Sequence, residues 1–308
     1  MIKAVYFIGV GGIGMSAIAR YFLKKKLVVA GYDKTPSDLT RTLEDEGMII
    51  HYDEDVEKIP VECKEKDSTL IVYTPAIPAA HKELLFFRKE GFDIKKRAQV
   101  LGELTKSNKG LCVAGTHGKT TTSTLVSHIF TASGEGCSAF LGGISKNFGT
   151  NLLISMNDVV VAEADEFDRS FHQLHPEIAV ITAMDADHLD IYGTLANMQD
   201  AFREFASQVS ETLIIKRGLP ISASDLSAKV YTYSFDDEKS DFYAKNLRLD
   251  ADGHYTYDLV RPGGVLENIK VGTLGWVNVE NSIAAAAICL CYGTDAQKIR
   301  HAISTFQG

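Results

Sequence analysis

The sequence predicts an α/β protein. A Rossmann-like parallel-sheet N-terminal domain covers residues 1–105, and a P-loop ATPase-like α/β central domain with a small antiparallel β-meander covers residues 106–308. Three observations lead to this fold class. Apolar strand-like runs alternate with amphipathic helical segments along most of the chain. A glycine-rich turn at residues 9–14 follows the first strand, and a second one, which contains Gly-Lys-Thr at 118–120, follows a later strand.

The composition is that of a globular protein without a membrane span. Of the 308 residues, 45% are hydrophobic and 23% are charged, and the formal net charge is −8. This negative balance disfavours a nucleic-acid partner. No apolar run reaches the roughly 18 residues that a transmembrane helix needs, so we expect no membrane insertion. The five cysteines show no C-x-x-C spacing, which indicates reduced core residues of a cytoplasmic protein.

The first domain opens with a strand and a phosphate-type turn. The apolar strand Ala4–Ile8 leads into the G-x-G-x-x-G pattern at 9–14, and a helix with one apolar face follows. The second strand, Val28–Tyr32, ends at Asp33. Strands near 70–73 and 92–95 and helices near 37–46 and 81–90 continue the alternation. On this pattern alone the default ligand is NAD with Asp33 on its ribose. A turn without a ligand and a solvated Asp33 are the alternatives.

The second glycine-rich turn carries the strongest chemical signal. Residues 110–114 form a short apolar strand, Gly115–Thr121 contain G-x-x-G-K-T, and an amphipathic helix continues to Gly134. In such a loop the backbone N–H groups and the positive end of the helix bind phosphate oxygens. Lys119 neutralises the β- and γ-phosphates, and the Thr120 hydroxyl can bind Mg²⁺. The longer Walker pattern would require glycine at position 113, where this chain has valine. The alternative is a glycine-rich turn with an incidental lysine.

Two later strands bring polar side chains to the same predicted sheet edge. The strand at 159–162 runs into Glu-Ala-Asp-Glu-Phe-Asp at 163–168, and the strand at 178–182 leads to His188. The carboxyl ends of parallel strands share one edge, and an ATPase places its Mg²⁺-directed acid there. We therefore predict functional roles for His188 and for Glu163, the first residue past its apolar run. A solvated acidic loop and a packed histidine are the alternatives.

Residues 228–271 change character. Alternating segments at 230–233, 243–249, 255–260 and 266–271 predict antiparallel strands, with turns at Asp252-Gly253 and Gly263-Gly264. An alanine-rich helix after residues 275–281 and a helix at 295–306 follow.

Five motifs in order give the chain a specific resemblance. They are G-V-G-G-I-G-M-S at 9–16, A-G-T-H-G-K-T-T-T at 114–122, E-A-D-E-F-D at 163–168, D-H-L-D-I-Y-G at 187–193 and G-W-V-N-V-E-N at 275–281. Together they resemble the Mur ligases and cover the chain from end to end. The resemblance implies that the first domain binds the UDP of a nucleotide-sugar acid and not NAD. The UDP-sugar residues implied are Gly11, Gly12, Gly14, Met15, Ser16, Asp33, Thr74 and Arg97.

The resemblance also implies ATP and Mg²⁺ as cofactors. The ATP-binding residues implied are Gly115, Thr116, His117, Gly118, Lys119, Thr120, Thr121, Asn278 and Asn281, the last two near the adenine. Thr120 and Glu163 match the ligands of one Mg²⁺, and His188 matches the ligand of a second. Lys119, Glu163 and His188 are the implied catalytic residues. The chain departs from the family at Val277, where many relatives have histidine, and at Ala183, where they often have asparagine.

Within the family the likeness is strongest to the branch that joins L-alanine to UDP-N-acetylmuramate. Like that branch, this chain has no lysine near residues 201–203. The implied reaction belongs to peptidoglycan synthesis: ATP phosphorylates the lactyl carboxylate, and the amine of L-alanine attacks the acyl phosphate. Three alternatives remain. They are a sister ligase that attaches a whole peptide, an NAD-dependent oxidoreductase that uses the 9–14 turn, and a nucleotide-gated binding protein.

The resemblance implies a third domain, which in family members presents the amino acid. A domain of ordinary size has on the order of 100–200 residues. Residues 1–308 contain no second Rossmann-like unit after the predicted meander. We therefore expect this chain alone to bind the UDP-sugar, to bind ATP·Mg²⁺ weakly and to show no appreciable ligation.

Overall fold

The computed structural model describes residues 1–308 and confirms the α/β fold class. The chain forms two compact units, Met1–Leu101 and Gly102–Gly308. The sequence prediction put the domain boundary after residue 105. No helix in the structure is long and apolar enough to cross a bilayer.

The first unit is built on a five-stranded parallel sheet in the order β3-β2-β1-β4-β5. Its strands are β1 (Ala4–Ile8), β2 (Val28–Tyr32), β3 (Ile49–His51), β4 (Thr69–Tyr73) and β5 (Asp93–Lys96). Its helices are α1 (Ile13–Lys24), α2 (Asp38–Asp45), α3 (Lys82–Glu90) and the start of α4 (Arg97–Lys106). The chain leaves β1 toward β2 on one side and returns to β4 on the other. This reversal creates a crevice at the carboxyl ends of β1, β2 and β4.

The first unit agrees with its predicted elements except at β3 and α4, which the sequence analysis missed. β3 has only three residues at the sheet edge, so it leaves almost no alternation to detect. α4 contains Gly102, which lowers its helix propensity. A Cβ at Gly102 would lie 2.1 Å from the Gln173 carbonyl oxygen, so close packing explains the glycine there.

The second unit contains a seven-stranded sheet in the order β12-β11-β10-β6-β9-β7-β8. Its strands are β6 (Lys109–Ala114), β7 (Ser138–Phe140), β8 (Leu152–Leu153), β9 (Val159–Ala164), β10 (Ile178–Ile181), β11 (Thr212–Lys216) and β12 (Lys229–Tyr233). Only β8 is antiparallel to its neighbour. The helices are α5 (Lys119–Ser133), α6 (Leu189–Tyr192), α7 (Leu195–Ser207), α8 (Val277–Tyr292) and α9 (Ala296–Thr305). Because β6 lies between β9 and β10, the loops that follow these three strands meet at one sheet edge.

The β-meander has three strands, and one part of the prediction was wrong. β13 (Tyr243–Leu249), β14 (Tyr255–Arg261) and β15 (Gly264–Lys270) pair antiparallel, with turns at the predicted glycines. The segment predicted as a further meander strand, 230–233, is β12 and pairs parallel with β11 in the main sheet. An edge strand that is partly exposed alternates like a meander strand, so the pattern could not separate the two. The meander packs on α8, where Tyr257 and Ser282 share a hydrogen bond of 2.8 Å between their hydroxyls.

Candidate active site

The loop between β6 and α5 requires glycine at two positions. Gly115 has φ 134°, and a Cβ there would lie 2.1 Å from Thr182 Oγ1. Gly118 has φ 80° and precedes α5 directly, and its Cβ would lie 2.7 Å from Asn281 Oδ1. Both φ values belong to the region that L side chains rarely adopt. The glycines therefore let the loop turn sharply beneath Thr182 and Asn281.

The N-terminus of α5 is arranged as an anion site. Gly118 provides no side-chain cap, and the first turn of the helix contains no acidic residue. The N–H groups of that first turn have no partner within the helix, and the helix dipole adds positive potential there. A phosphate group satisfies both requirements.

Lys119 is held by two acceptors beside this site. Its Nζ donates to the Gly115 carbonyl oxygen at 2.7 Å and lies 2.9 and 2.8 Å from the two carboxylate oxygens of Glu166. The Glu166 side chain is fully buried, and its backbone carbonyl accepts from the Tyr192 hydroxyl. Glu166 was not among the site residues predicted from the sequence. The available signal was its place in the 163–168 motif, three residues after Glu163.

Glu163 and Thr120 form the second polar contact of the site. Thr120 Oγ1 donates to Glu163 Oε1 at 3.1 Å, and the Gly142 N–H donates to Oε2 at 3.1 Å. Burial raises the pKa of Glu163, while Thr120 and Lys119 act in the opposite direction. A hydroxyl and a carboxylate in contact are oxygen donors of the kind that Mg²⁺ binds. The pair therefore fits the predicted cation site.

A second cluster joins three side chains at the neighbouring strand ends. One ligand atom each from Glu166, Asp187 and His188 lies within 4.8 Å of the others. His188 adopts φ 50° at the start of α6, a conformation that is uncommon outside glycine and frequent at functional sites. Two carboxylates and an imidazole could hold a divalent cation. Of this cluster, only His188 was predicted from the sequence as a site residue.

The end of β10 fixes the loop from the other side. Thr182 Oγ1 donates to the carbonyl oxygens of Ala114, at 3.1 Å, and of His117. The Thr116 N–H donates to the Ala183 carbonyl oxygen at 3.1 Å, and the Thr116 hydroxyl accepts from the Asp185 N–H at 3.2 Å. Ala183 acts here through its backbone, so its departure from the family leaves this contact in place. The His117 side chain is 71% exposed and lies 3.6 Å from the Asp185 carboxylate.

The two predicted adenine residues lie in contact with each other beside the loop. Asn281 is buried against Gly118, and its Nδ2 donates to Asn278 Oδ1 at 3.3 Å. Asn278 lines a cavity of about 490 Å³ together with Thr121 and Leu274. The structure thus brings Asn278 and Asn281 together next to the phosphate loop, with Asn278 on the cavity side beside Thr121.

The first unit has its own cavity, of about 610 Å³, at the crevice in its sheet. Of the residues predicted to bind the UDP-sugar, Gly12, Asp33 and Thr74 line this cavity. The Gly11 N–H donates to Asp33 Oδ2 at 2.6 Å, so Asp33 also stabilises the glycine turn.

The other residues predicted for this unit lie around the turn. A Cβ at Gly14 would meet the Arg97 guanidinium at 2.4 Å, so Arg97 crosses the turn closely. Met15 and Ser16 are buried, and the Ser16 hydroxyl donates to the Ile13 carbonyl oxygen at 2.8 Å. Their side chains pack inside the unit and do not line the cavity.

Fold and site together define a phosphate-loop nucleotide-binding protein of the α/β class. Two family models match the chain: the Mur ligase family catalytic domain over residues 4–109, and the Mur ligase middle domain over residues 113–289. The chain belongs to the Mur ligase family, whose members are ATP-dependent ligases.

Curated relatives and solved structures agree with this assignment. Proteins from Phocaeicola vulgatus and Porphyromonas gingivalis, both named UDP-N-acetylmuramate–L-alanine ligase, are 51% and 49% identical over 100% and 99% of this chain. The chain spans 67% and 68% of their lengths. The solved UDP-N-acetylmuramate-alanine ligase of Thermotoga maritima has a TM-score of 0.85 at 24% identity, over 99% of this chain and 69% of that one. A Neisseria meningitides ligase named for UDP-N-acetylmuramate and L-alanyl-gamma-D-glutamyl-meso-diaminopimelate has a TM-score of 0.87 at 24% identity, over 100% and 99%. At that identity both structures confirm the fold alone.

Proposed function

We propose that the protein is the ligase that joins L-alanine to the lactyl carboxylate of UDP-N-acetylmuramate at the expense of ATP. The observation that carries this proposal is the identity of about 50%, along the whole chain, to relatives named for that reaction. The NAD-dependent oxidoreductase has no support, since both family models and these relatives are ligases.

The second unit supplies groups for ATP. The N–H groups at the start of α5 would bind phosphate oxygens, and Lys119 would turn from Glu166 to the terminal phosphates. This exchange leaves the buried Glu166 carboxylate without its cationic partner. A divalent cation at the cluster of Glu166, Asp187 and His188 would compensate the negative charge of Glu166. We therefore infer that ATP and Mg²⁺ each increase the affinity of the protein for the other.

We assign one Mg²⁺ to Thr120 and Glu163 and a second to the cluster around His188. Bound there, the cations would neutralise charge that builds on the phosphoryl oxygens during transfer. Lys119 supplies the same stabilisation from the protein itself. Glu163 must be ionised to act as a ligand, and the raised pKa of its buried carboxyl makes this step sensitive to acid.

The reaction divides into two transfers. A carboxylate oxygen of the sugar acid attacks the γ-phosphorus of ATP, the bond to ADP breaks, and an acyl phosphate forms. The neutral amine of L-alanine then attacks the acyl carbon, the amine loses a proton, and inorganic phosphate leaves with the bonding electron pair. We place the UDP part of the sugar acid in the cavity of the first unit. Because ATP and UDP-sugars are intracellular metabolites, we also propose a cytoplasmic location.

The test is amino-acid-dependent phosphate release with ATP, Mg²⁺ and UDP-N-acetylmuramate, measured on protein that contains these 308 residues in a chain as long as the curated relatives, of which they span 67%. For the 308 residues alone, the expectation of no appreciable ligation stays a prediction. We expect release with L-alanine and none when Lys119→Ala replaces the wild type. Release that requires L-alanyl-gamma-D-glutamyl-meso-diaminopimelate in place of L-alanine would favour the sister ligase. Release that requires neither acceptor nor sugar would favour a nucleotide-gated binding protein.

A further inference from the structure

His81 is a buried histidine without a hydrogen-bond partner. It lies directly before α3 in the first unit and is 5% exposed, and neither of its ring nitrogens contacts a donor or acceptor. By contrast, the nearby His51 contacts the Tyr6 hydroxyl at 2.7 Å and the Asp53 carbonyl oxygen at 2.8 Å. Burying an imidazole without partners is unfavourable. The free protein therefore keeps His81 in place at the expense of its stability.

The surroundings of His81 point to a ligand. His81 lines the 610 Å³ cavity of the first unit, together with Tyr32, Asp33 and Glu54. The ring of Tyr32 lies 4.7 Å from that of His81 at an interplanar angle of 61°, which fixes the orientation of the imidazole. Burial lowers the pKa of His81, opposed by Glu54 and assisted by His51, so the ring is neutral at pH 7. A neutral imidazole offers one donor and one acceptor.

The charges around the cavity distinguish the two halves of a nucleotide. Glu54 lies next to His81, since its carboxylate accepts from the backbone N–H of Lys82. A carboxylate at this position repels phosphate and can accept from a hydroxyl or an imide N–H. The glycine turn has the opposite character, because α1 has no acidic residue in its first turn, its N-cap residue Gly12 makes no side-chain cap, and Arg97 lies against Gly14. The start of α1 therefore favours the diphosphate, whereas the Glu54 carboxylate disfavours phosphate beside His81 and leaves that end of the cavity to the nucleoside.

We propose that His81 binds the nucleoside half of the UDP-sugar, through a group that can donate and accept hydrogen bonds. Two groups of uridine have this chemistry, a ribose hydroxyl and the imide edge of uracil. The inference rests on the proposed function, which places a UDP-sugar in this cavity. It adds a binding residue that also determines specificity for the nucleoside.

The first experiment compares UDP affinity with thermal stability in the 308-residue chain. His81→Leu removes the donor and the acceptor, and we expect UDP to bind about 3- to 10-fold more weakly by calorimetry. The same variant should melt at or above the wild-type temperature, because an unpaired buried polar group is gone. His81→Gln keeps a donor and an acceptor and should recover part of the affinity. The control is His51→Leu, which removes partnered contacts and should lower the melting temperature without a comparable loss of UDP affinity.

UDP affinity of His81→Leu within about twofold of wild type would overturn the proposal. So would a fall in its melting temperature as large as that of His51→Leu, because the ring would then have a structural role. If wild-type protein binds neither UDP nor UDP-N-acetylmuramate, the assignment of the substrate fails together with this inference. If wild type binds and the His81 variants match it, only the inference fails.

Two analogues identify the group on the nucleoside. 2′,3′-Dideoxy-UDP lacks both ribose hydroxyls, and N3-methyl-UDP lacks the imide N–H. The analogue that lacks the partner of His81 should bind weakly to wild type, and it should bind to His81→Leu about as well as UDP does. If His81→Leu discriminates against both analogues as strongly as wild type does, the nucleoside assignment is wrong.

Discussion

The ion pair between Lys119 and Glu166 lets the electrostatics of the site be tested by protein stability, without any ligand. Lys119 Nζ lies 2.8 Å from Glu166 Oε2, the glutamate side chain is fully buried and the lysine side chain is 15% exposed. Replacing Lys119 by methionine keeps an unbranched apolar side chain and removes the charge. Glu166 would then be a buried carboxylate without a cation.

The expected effect on stability is large. Removing one partner of a buried ion pair typically costs about 3–5 kcal/mol, because the remaining charge is uncompensated. For a unit of about 200 residues, 1 kcal/mol shifts the melting temperature by roughly 2–4 °C, so Lys119→Met should melt about 6–20 °C lower. Adding Glu166→Gln removes the second charge and should restore most of the stability.

The measurement is urea and thermal unfolding at pH 7 of wild type, Lys119→Met and the double variant. Lys270→Met is the matched control, since Lys270 Nζ lies 2.9 Å from Asp250 while the two side chains are 49% and 35% exposed. An exposed pair of this kind contributes little to stability, because water and salt screen the two charges. If Lys119→Met costs no more than Lys270→Met, or the double variant is no more stable than Lys119→Met, the reasoning about burial is refuted.

Three further predictions concern the metal, the loop and pH. Glu163→Gln and His188→Ala should each raise the Mg²⁺ concentration needed for ATP binding and leave the UDP affinity unchanged. If calorimetry shows an unaltered Mg²⁺ requirement in one variant, that residue does not belong to the metal site. Gly118 and Gly134 have φ of 80° and 81°, so replacing either by alanine should lower the free energy of unfolding by about 1 kcal/mol. Only Gly118→Ala should also weaken ATP binding, because its Cβ would contact Asn281 in the phosphate loop region. Equal ATP affinities of the two variants would contradict this. Burial raises the pKa of Glu83 from 4.5 to about 7. Between these pH values the folded protein binds a proton at Glu83 that the unfolded chain does not, so the free energy of unfolding should fall as the pH rises from 4.5 to about 7. Glu83→Gln should flatten that dependence in urea titrations at pH 5 and 7.5, and an unchanged slope would assign it to another group.

The sequence was sufficient for the phosphate loop because every part of that loop is contiguous. A buried strand, two glycines, a lysine and a helix follow one another in the chain, and each has a local signal. Glu166 had no such signal. Glu166 and Asp165 lie where β9 ends and an irregular turn begins, in which Asp168 and Arg169 adopt φ of 49° and 54°. No period of two or 3.6 residues describes such a backbone, so the pattern could not choose between the carboxylates.

His81 was missed for a different reason. Its sequence neighbours predict only the start of a helix, and a histidine in that position is unremarkable on its own. What distinguishes His81 is that Tyr32 and Glu54, from other parts of the chain, enclose it without supplying a hydrogen-bond partner. Such a deficit is a property of tertiary packing, because the partners a side chain lacks cannot be read from its local sequence.

Glu163 shows how sheet register completes the site. The sequence placed Glu163 just past an apolar run, whereas the structure includes it in β9, paired with Val113 of β6. In this register its carboxylate reaches the Thr120 hydroxyl at 3.1 Å. Side chains alternate between the faces of a sheet, so a shift of one residue would turn Glu163 to the opposite face and present an alanine instead. The contact between this carboxylate and Thr120 therefore depends on the hydrogen-bonded pairing of β9 with β6.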